Sequence, residues 1–457
     1  MKKNLILLAF VALVAVSCKD KKNEDNREDY NRETVNACIY DIMSTYYLWN
    51  NAIPQQRRLN FNEKPDAFFE SLLYNGDPWS FISDDSKATN AELDGNPCSM
   101  GFSPQFWYYN GTDNVLIMVE FVYPGSPADR AGLKRGDIIL DIDGEPMTPE
   151  NYHELYSKTS ATYTLGTYDP EKNSLNTNNI NLKMEAEIIK ADPSLYDDIF
   201  NVGGKPVGYY AYASFASDTS YFASMDDAFD RFKAAGVKDL ILDLRYNGGG
   251  SIETAGHLAA AIAPASVVNS HEVLITYSYN DILTRYFNSS LKGKELEQNL
   301  LYRIPYNAHN ADIENLYVLC TNNTASASEL IAVGLMPYMN VKLIGSKTFG
   351  KYTGMFIFDS DVEGCEDLEN WAILPVCMKY ANAEGLTDFG NGLEPDYKVD
   401  DDLLNAYPFG DANDPMIAAA LDIVGGVPLT AKAARVHPFT AIKPNGMSVS
   451  NNLIIKR

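Results

Sequence analysis

Residues 239–250 read Asp239-Leu240-Ile241-Leu242-Asp243-Leu244-Arg245-Tyr246-Asn247-Gly248-Gly249-Gly250, an apolar run that passes through a polar turn into three successive glycines. An unbroken apolar run, rather than an alternating one, is what a strand covered on both faces requires. The glycines let the backbone turn sharply and leave its N–H groups exposed. Outward from this stretch the same pattern recurs. Val207-Gly208-Tyr209-Tyr210-Ala211-Tyr212 reads as a strand and 220–235 as a helix; Leu316-Tyr317-Val318-Leu319-Cys320 is another strand, 328–335 its helix, and Val341-Lys342-Leu343-Ile344-Gly345 a further strand. Strands alternating with helices predict α/β architecture, in which sites collect where strands end and helices begin. The glycine loop reads as an oxyanion-hole loop. A phosphate cradle is the competing reading, and it lacks the Gly-Lys-Ser/Thr continuation that would hold phosphate and magnesium.

A second junction, Thr324-Ala325-Ser326-Ala327-Ser328-Glu329-Leu330, follows the 316–320 strand. A serine at a helix N-terminus sits where dipole and free amides favour the charge that develops on an attacked carbonyl oxygen. Taken alone, however, Ser326 to Glu329 is an S-x-x-E capping box. A nucleophilic serine needs a base, and no histidine lies near a matching motif; Lys351, in Gly345-Ser346-Lys347-Thr348-Phe349-Gly350-Lys351, is the remaining candidate. It serves only when neutral. Bringing its pKa from about 10.4 to about 7 takes roughly 4–5 kcal/mol of desolvation and neighbouring dipole, so its amine must be buried. Lys347 is the alternative base and reads better as a solvated strand-end charge.

Upstream, the Gly95-Asn96 pair and Pro97 mark a boundary, after which period-2 runs such as 115–122 indicate a β-rich module over 97–190. Within it, Pro127 can open a one-turn helix, Gly132 close it, and Gly136-Asp137 turn the chain into a strand that Asp143-Gly144 ends. Residues 30–83 read as helical, with Val35, Ile39, Ile42 and Met43 on one face and an aromatic end at Tyr46 to Trp49; 30–96 is expected to be a helical cap. The catalytic core is placed at 195–400. Residues 401–457 are read as a helix over 414–424 and a strand over 448–455, packing on the core.

The 457 residues exceed a single-domain length about threefold and are 46% hydrophobic, 21% charged and 12% aromatic, proportions of a soluble globular chain. A net charge of −24 argues against nucleic acid as a partner. Residues 1–18 depart from this average. Lys2 and Lys3 precede an uncharged run from Leu5 to Val16, too short to span a bilayer and fitting an export signal, and 19–29 reads as a charged tether. Five cysteines remain beyond Cys18, an odd count that implies no disulfide framework. Buried thiols are preferred for them, with a Cys365–Cys377 bridge as the alternative. Neither the cysteines nor the five histidines show metal-site spacing, and no metal or organic cofactor is expected.

Three resemblances follow from these residues. Ala15-Val16-Ser17-Cys18 resembles the lipobox of bacterial lipoproteins, which implies lipidation of Cys18 and a membrane-anchored location in the cell envelope; Ala15 stands where Leu is usual. Pro124 to Gly144 resembles a PDZ domain of bacterial proteases. That implies capture of a peptide C-terminus by strand addition, with Met100-Gly101-Phe102 as the carboxylate-binding loop. Finally, four ordered motifs together resemble the C-terminal processing peptidases, or tail-specific proteases: 243–250, 324–329, 347–351 and Gly390-Asn391-Gly392-Leu393-Glu394-Pro395-Asp396. The family's serine and lysine lie 25 residues apart, as Ser326 and Lys351 do.

This last resemblance implies a crotonase-like α/β core and a Ser–Lys endopeptidase. Ser326 would be the nucleophile, Lys351 the general base, and the amides of Gly249 and Ala327 the oxyanion donors, with Gly250 the one-residue alternative. One departure is Met355, where the family carries a glutamine that orients the lysine; Thr353 is a nearby substitute. The alternative function is a non-catalytic peptide- or lipid-binding lipoprotein of the same fold. An acyl-CoA enzyme of crotonase type is a third, which the PDZ module argues against.

Overall fold

The computed structural model describes residues 31–429 and 438–442, and the backbone of 453–455. The export signal, the tether and Cys18 lie outside the described residues.

The central sheet has six strands in the order Ser194–Val202, Lys205–Tyr212, Asp239–Asp243, Asn315–Cys320, Asn340–Gly345, Tyr397–Lys398, parallel except for the first. Successive side chains leave a strand on opposite faces, and here both faces are covered. Tyr210, Tyr212, Leu240, Leu242, Leu316 and Val318 face the helices Phe222–Ala235, Ile252–Ile262 and Ala327–Leu335. Tyr209, Ile241, Leu319 and Ile344 face the helix Pro415–Val424. That two-sided burial is why the strand sequences do not alternate.

A second sheet, in the order Leu301–Arg303, Val273–Tyr279, Val376–Ala381, Thr353–Phe356, Leu453–Ile455, carries the strand that begins two residues after Lys351. The N-terminal helix Arg32–Tyr46 packs here through Val35, Ile39, Ile42 and Met43, and Leu48 N donates to Val376 O at 2.8 Å. Residues 81–83 correct the helical reading of 30–83: Phe81–Ser83 is a strand, antiparallel to Ala372–Leu374. The two form a two-stranded sheet of their own, and that pairing with a distant extended segment overrides local periodicity. A helix, Ser86–Leu93, follows it, capped by Asp85.

The expectation of no disulfide and the Cys365–Cys377 alternative are also corrected. Cys365 is bonded to Cys38, which the helix Arg32–Tyr46 brings alongside the loop before Glu366–Leu368. Cys377 lies buried within the second sheet, its Sγ 3.3 Å from Pro375 O.

The β-rich module is an antiparallel sheet in the order Phe102–Tyr109, Val115–Val122, Ile138–Ile142, Ser160–Asp169, Ser174–Glu185. Its one-turn helix Pro127–Ala131 starts at Ser126, whose Oγ accepts from Asp129 N, and stops at Gly132, whose φ of 87° only glycine adopts freely. The segment after 401 does not pack wholly on the core. Its helix does, but Phe439–Ala441 joins the β-rich module, antiparallel to Phe102–Tyr109.

Candidate active site

Ser326 connects the strand Asn315–Cys320 to the helix Ala327–Leu335 with φ 59° and ψ −111°, a conformation costly for any residue with a side chain. A strained strand-to-helix turn of this kind aims a side chain out of the helix rather than along it. The capping box is accordingly only half made. The Glu329 carboxylate accepts from Ser326 N at 2.9 Å, whereas Ser326 Oγ is buried without a hydrogen-bond partner among the described residues. A buried hydroxyl left unpaired costs about 1–3 kcal/mol, so something other than stability keeps it there.

The glycine loop packs directly on this turn. A Cβ on Gly249 would stand 2.8 Å from Ser326 Cβ and 3.0 Å from Ala327 N, so the close approach itself requires glycine. Asn247 holds the loop: its Oδ1 accepts from Gly249 N at 2.9 Å, its Nδ2 donates to Tyr212 O, and its carbonyl accepts from Ala325 N and Ser328 Oγ. Gly249 therefore offers an oxyanion nothing until Asn247 releases its amide. The amides of Gly250 and Ala327 donate to no acceptor among the described residues.

Lys351 has no solvent exposure, and burial drives its amine well below the ordinary lysine range, against opposing pulls from Asp77 and Glu329. Its Nζ lies 3.9 Å from Met355 Sδ, a weak acceptor. Thr353, read as a possible third group, has its hydroxyl buried without a hydrogen-bond partner among the described residues. Lys347 is half-exposed and paired with Glu394 at 2.5 Å.

Ser326 and Lys351 are brought together by two side chains whose role the sequence did not disclose. Oε2 of Glu329 accepts from both Ser326 N (2.9 Å) and Lys351 N (2.8 Å), while Oε1 takes Gly350 N (2.7 Å) and Thr348 Oγ1 (2.5 Å). The Tyr380 hydroxyl reaches the carbonyls of the same two residues, at 3.1 and 3.2 Å. The 390–396 motif backs this turn: Thr348 exchanges hydrogen bonds with Leu393, and Gly350 has no room for a Cβ against Gly390 and Gly392.

Glu329 is fully buried, and desolvation raises its pKa to about 7 although four donors favour the carboxylate. Glutamine cannot replace it, because its amide group would face donors. Glu329→Gln is therefore expected to cost about 1–3 kcal/mol of stability in denaturant titration and to lower kcat more than it raises KM. Equal loss from stability alone, with kcat intact in the folded fraction, would refute a positioning role.

The β-rich module abuts the same loops. Asn323, three residues before Ser326, donates from Nδ2 to Glu120 Oε1 and Gln105 Oε1, both at 2.7 Å. Arg135 donates to Glu120 O at 2.8 Å, stacks over Tyr246 and pairs with Asp401 at 3.2 Å. Arg245, buried beneath, pairs with Asp243 (2.7 Å), Asp401 (2.9 Å) and Asp414 (3.0 Å). Burial raises the Asp401 pKa, but Arg245 and Arg135 outweigh it and leave the group below its usual value. In the module itself, Met100 and Phe102 are buried in its core, and Gly101 N is taken by Ser99 Oγ at 3.0 Å. Alongside the glycine loop, a cavity of 1150 Å³ is lined by Ser251, Ile252, Tyr277, Tyr279, Tyr302 and Phe356.

The profile of peptidase family S41 matches residues 206–399, that of the peptidase S41 N-terminal domain 34–81, and that of the PDZ domain 118–161. The carboxyl-terminal-processing protease of Synechocystis sp. is 26% identical over 78% of this chain and 75% of its own length. The carboxy-terminal processing protease CtpA of Bacillus subtilis is 25% identical over 83% and 72%. Among solved structures, a protein of Bacteroides fragilis assigned to the S41 proteases superposes with a TM-score of 0.67 at 28% identity, covering 85% of this chain and 97% of its own. The photosystem II D1 C-terminal processing protease shares the fold, with a TM-score of 0.52 at 18% identity, over 86% and 97%. With its N-terminal domain, its PDZ domain and its catalytic core all matched, the chain belongs to peptidase family S41 and is a serine-type peptidase.

Proposed function

We propose that Ser326 and Lys351 are the nucleophile and general base of an endopeptidase that recognises protein substrates by their C-terminal tails. The observation that carries this is the shared anchoring of the two residues by Glu329 and Tyr380, with the lysine amine buried and pushed toward its neutral form. In the proposed reaction Lys351 Nζ takes the proton of Ser326 Oγ as the oxygen attacks the peptide carbonyl. The oxyanion meets the Ala327 amide and one glycine-loop amide, Gly250 as it stands or Gly249 once freed from Asn247. Collapse gives an acyl-enzyme and an amine, which leaves with the proton from Nζ; water activated by the same lysine then hydrolyses the ester. A crotonase-like kinship of the core belongs to the same proposal, supported by the parallel sheet and the amide-lined turn.

Tail recognition is supported by the PDZ match, by the Met100-Gly101-Phe102 loop at the head of the strand Phe102–Tyr109, and by relatives named for C-terminal processing. Export and a lipid anchor on Cys18, placing the enzyme in the cell envelope, remain part of the proposal. The Cys38–Cys365 bond supports them, since such bonds persist in oxidising compartments. The test is acylation by a serine-directed probe: labelling of the wild type and none of Ser326→Ala is expected. Absence of labelling at every pH from 6 to 10 would overturn the enzyme and favour a non-catalytic peptide or lipid binder.

A further inference from the structure

In a PDZ module that captures peptides by strand addition, the receiving edge here is the strand Phe102–Tyr109, the other side of which already pairs with Val115–Val122. That edge is taken. Phe439, Thr440 and Ala441 pair antiparallel with Tyr109, Tyr108 and Trp107, and the added strand runs toward the Met100-Gly101-Phe102 loop, the polarity of a captured tail. Asn110 N donates to Pro438 O at 2.7 Å, Ile442 N to Phe106 O at 2.8 Å, and Gln105 Nε2 to Ile442 O at 3.3 Å. Side chains engage as well. Ile442 is buried in the PDZ core beside Phe106, Tyr152 and Leu155, and Phe439 is buried on the opposite face against Tyr109 and Tyr168.

The second occupied edge lies in the active site. Leu453–Ile455 pairs in parallel with Gly354, Met355 and Phe356, and closes the outer edge of the strand that follows Lys351. It also lies against the helix Ile252–Ile262, which starts just after the glycine loop. A strand held between the strand that follows Lys351 and the helix that follows the glycine loop stands where a peptide substrate would lie to reach both.

We propose that two segments of the chain itself, 438–442 and 453–455, act as a built-in peptide ligand, the first filling the PDZ edge and the second the edge of the strand after Lys351, so that a substrate binds only by displacing them. This rests on the peptide-recognition reading above and goes further by naming the occupant and its anchor: an aliphatic residue at the position of Ile442. A tethered strand competes at high effective concentration. If the edges are open only about 1–10% of the time, apparent affinity for an added peptide falls roughly 10- to 100-fold.

The test uses a fluorescein-labelled synthetic peptide of residues 438–457, with Ser326→Ala chains so that nothing is cleaved. A chain ending at residue 437, checked for folding by circular dichroism, is expected to bind the peptide at least tenfold more tightly than the full chain. The same peptide carrying Ile442→Asp should bind neither. Equal affinity for both chains, or equal binding of the Ile442→Asp peptide to the shortened chain, overturns the proposal. Should the shortened chain not fold, a full-length staple decides. Trp107 and Ala441 face each other at a non-hydrogen-bonded pair, where Cβ atoms come closest. Trp107→Cys with Ala441→Cys should exclude the peptide when oxidised and admit it on reduction, beside an unstapled control under the same reductant. Exclusion unchanged by reduction, with the control binding, also overturns it. Because the readout is binding, it is independent of whether Ser326 acylates.

Discussion

With Lys351 the proposed general base, Lys351→Ala is expected to lower kcat/KM toward a peptide substrate by at least roughly 10³-fold while the protein remains folded, the scale on which loss of one member of a nucleophile–base unit is felt. Lys351→Arg fails just as badly, because guanidinium stays protonated and cannot accept the serine proton. Lys351→Met separates catalysis from stability. The amine is buried, with Met355 Sδ 3.9 Å away, and its folded pKa lies well below the 10.5 of the free side chain. Between those two values the unfolded chain binds more protons than the folded one, so stability rises with pH across that window and the lysine is a net cost at neutral pH. An apolar isostere is therefore expected to raise the melting temperature at pH 7 while abolishing turnover. The wild-type log kcat/KM should climb with unit slope as the amine deprotonates and then level off. Activity falling with rising pH, or an active Lys351→Arg enzyme, would defeat the assignment.

Arg245→Met is expected to destabilise the fold by about 3–5 kcal/mol, read as a lowered denaturation midpoint, because it strands carboxylates that are almost wholly buried. Asp243 then keeps the Tyr209 hydroxyl, which donates to it at 2.7 Å, and the backbone N–H of residue 245 at 3.3 Å, while Asp401 and Asp414 keep Arg135 at 3.2 and 4.0 Å. The loss has a pH signature. Without Arg245, Asp401 loses the strongest of the pulls that hold its carboxyl below the usual range, so the deficit shrinks as pH falls and Asp401 takes up its proton. A deficit independent of pH would indicate lost packing rather than lost charge compensation. Since Arg135 belongs to the PDZ module and Asp243 precedes the glycine loop, the same substitution should loosen the module's hold on the active site.

What was legible in the chain follows from how local each signal is. The runs around 240, 317 and 343 revealed two-sided burial because composition alone carries it, and Gly132 disclosed its turn because only glycine takes that φ cheaply. Ser326 and Lys351 stood out by motif and spacing. Glu329 did not: its sequence context describes a helix cap, and its role as the link between two turns exists only once the turn at Ser326 and the turn at 348–351 lie side by side. Asn247 and Tyr380 were silent for the same reason. The strand Phe81–Ser83 and the pairing of Phe439–Ala441 with the PDZ edge depend on partner strands supplied by distant residues, which no window of local periodicity contains.

The bond between Cys38 and Cys365 spans 327 residues that include the PDZ module, Ser326 and Lys351. A backbone nick anywhere in that span leaves both pieces covalently joined, so the nicked molecule runs as one band on a gel without thiol and as two with it. Material that looks intact under the first condition can already have been cut, and wear in this peptidase is visible only after reduction.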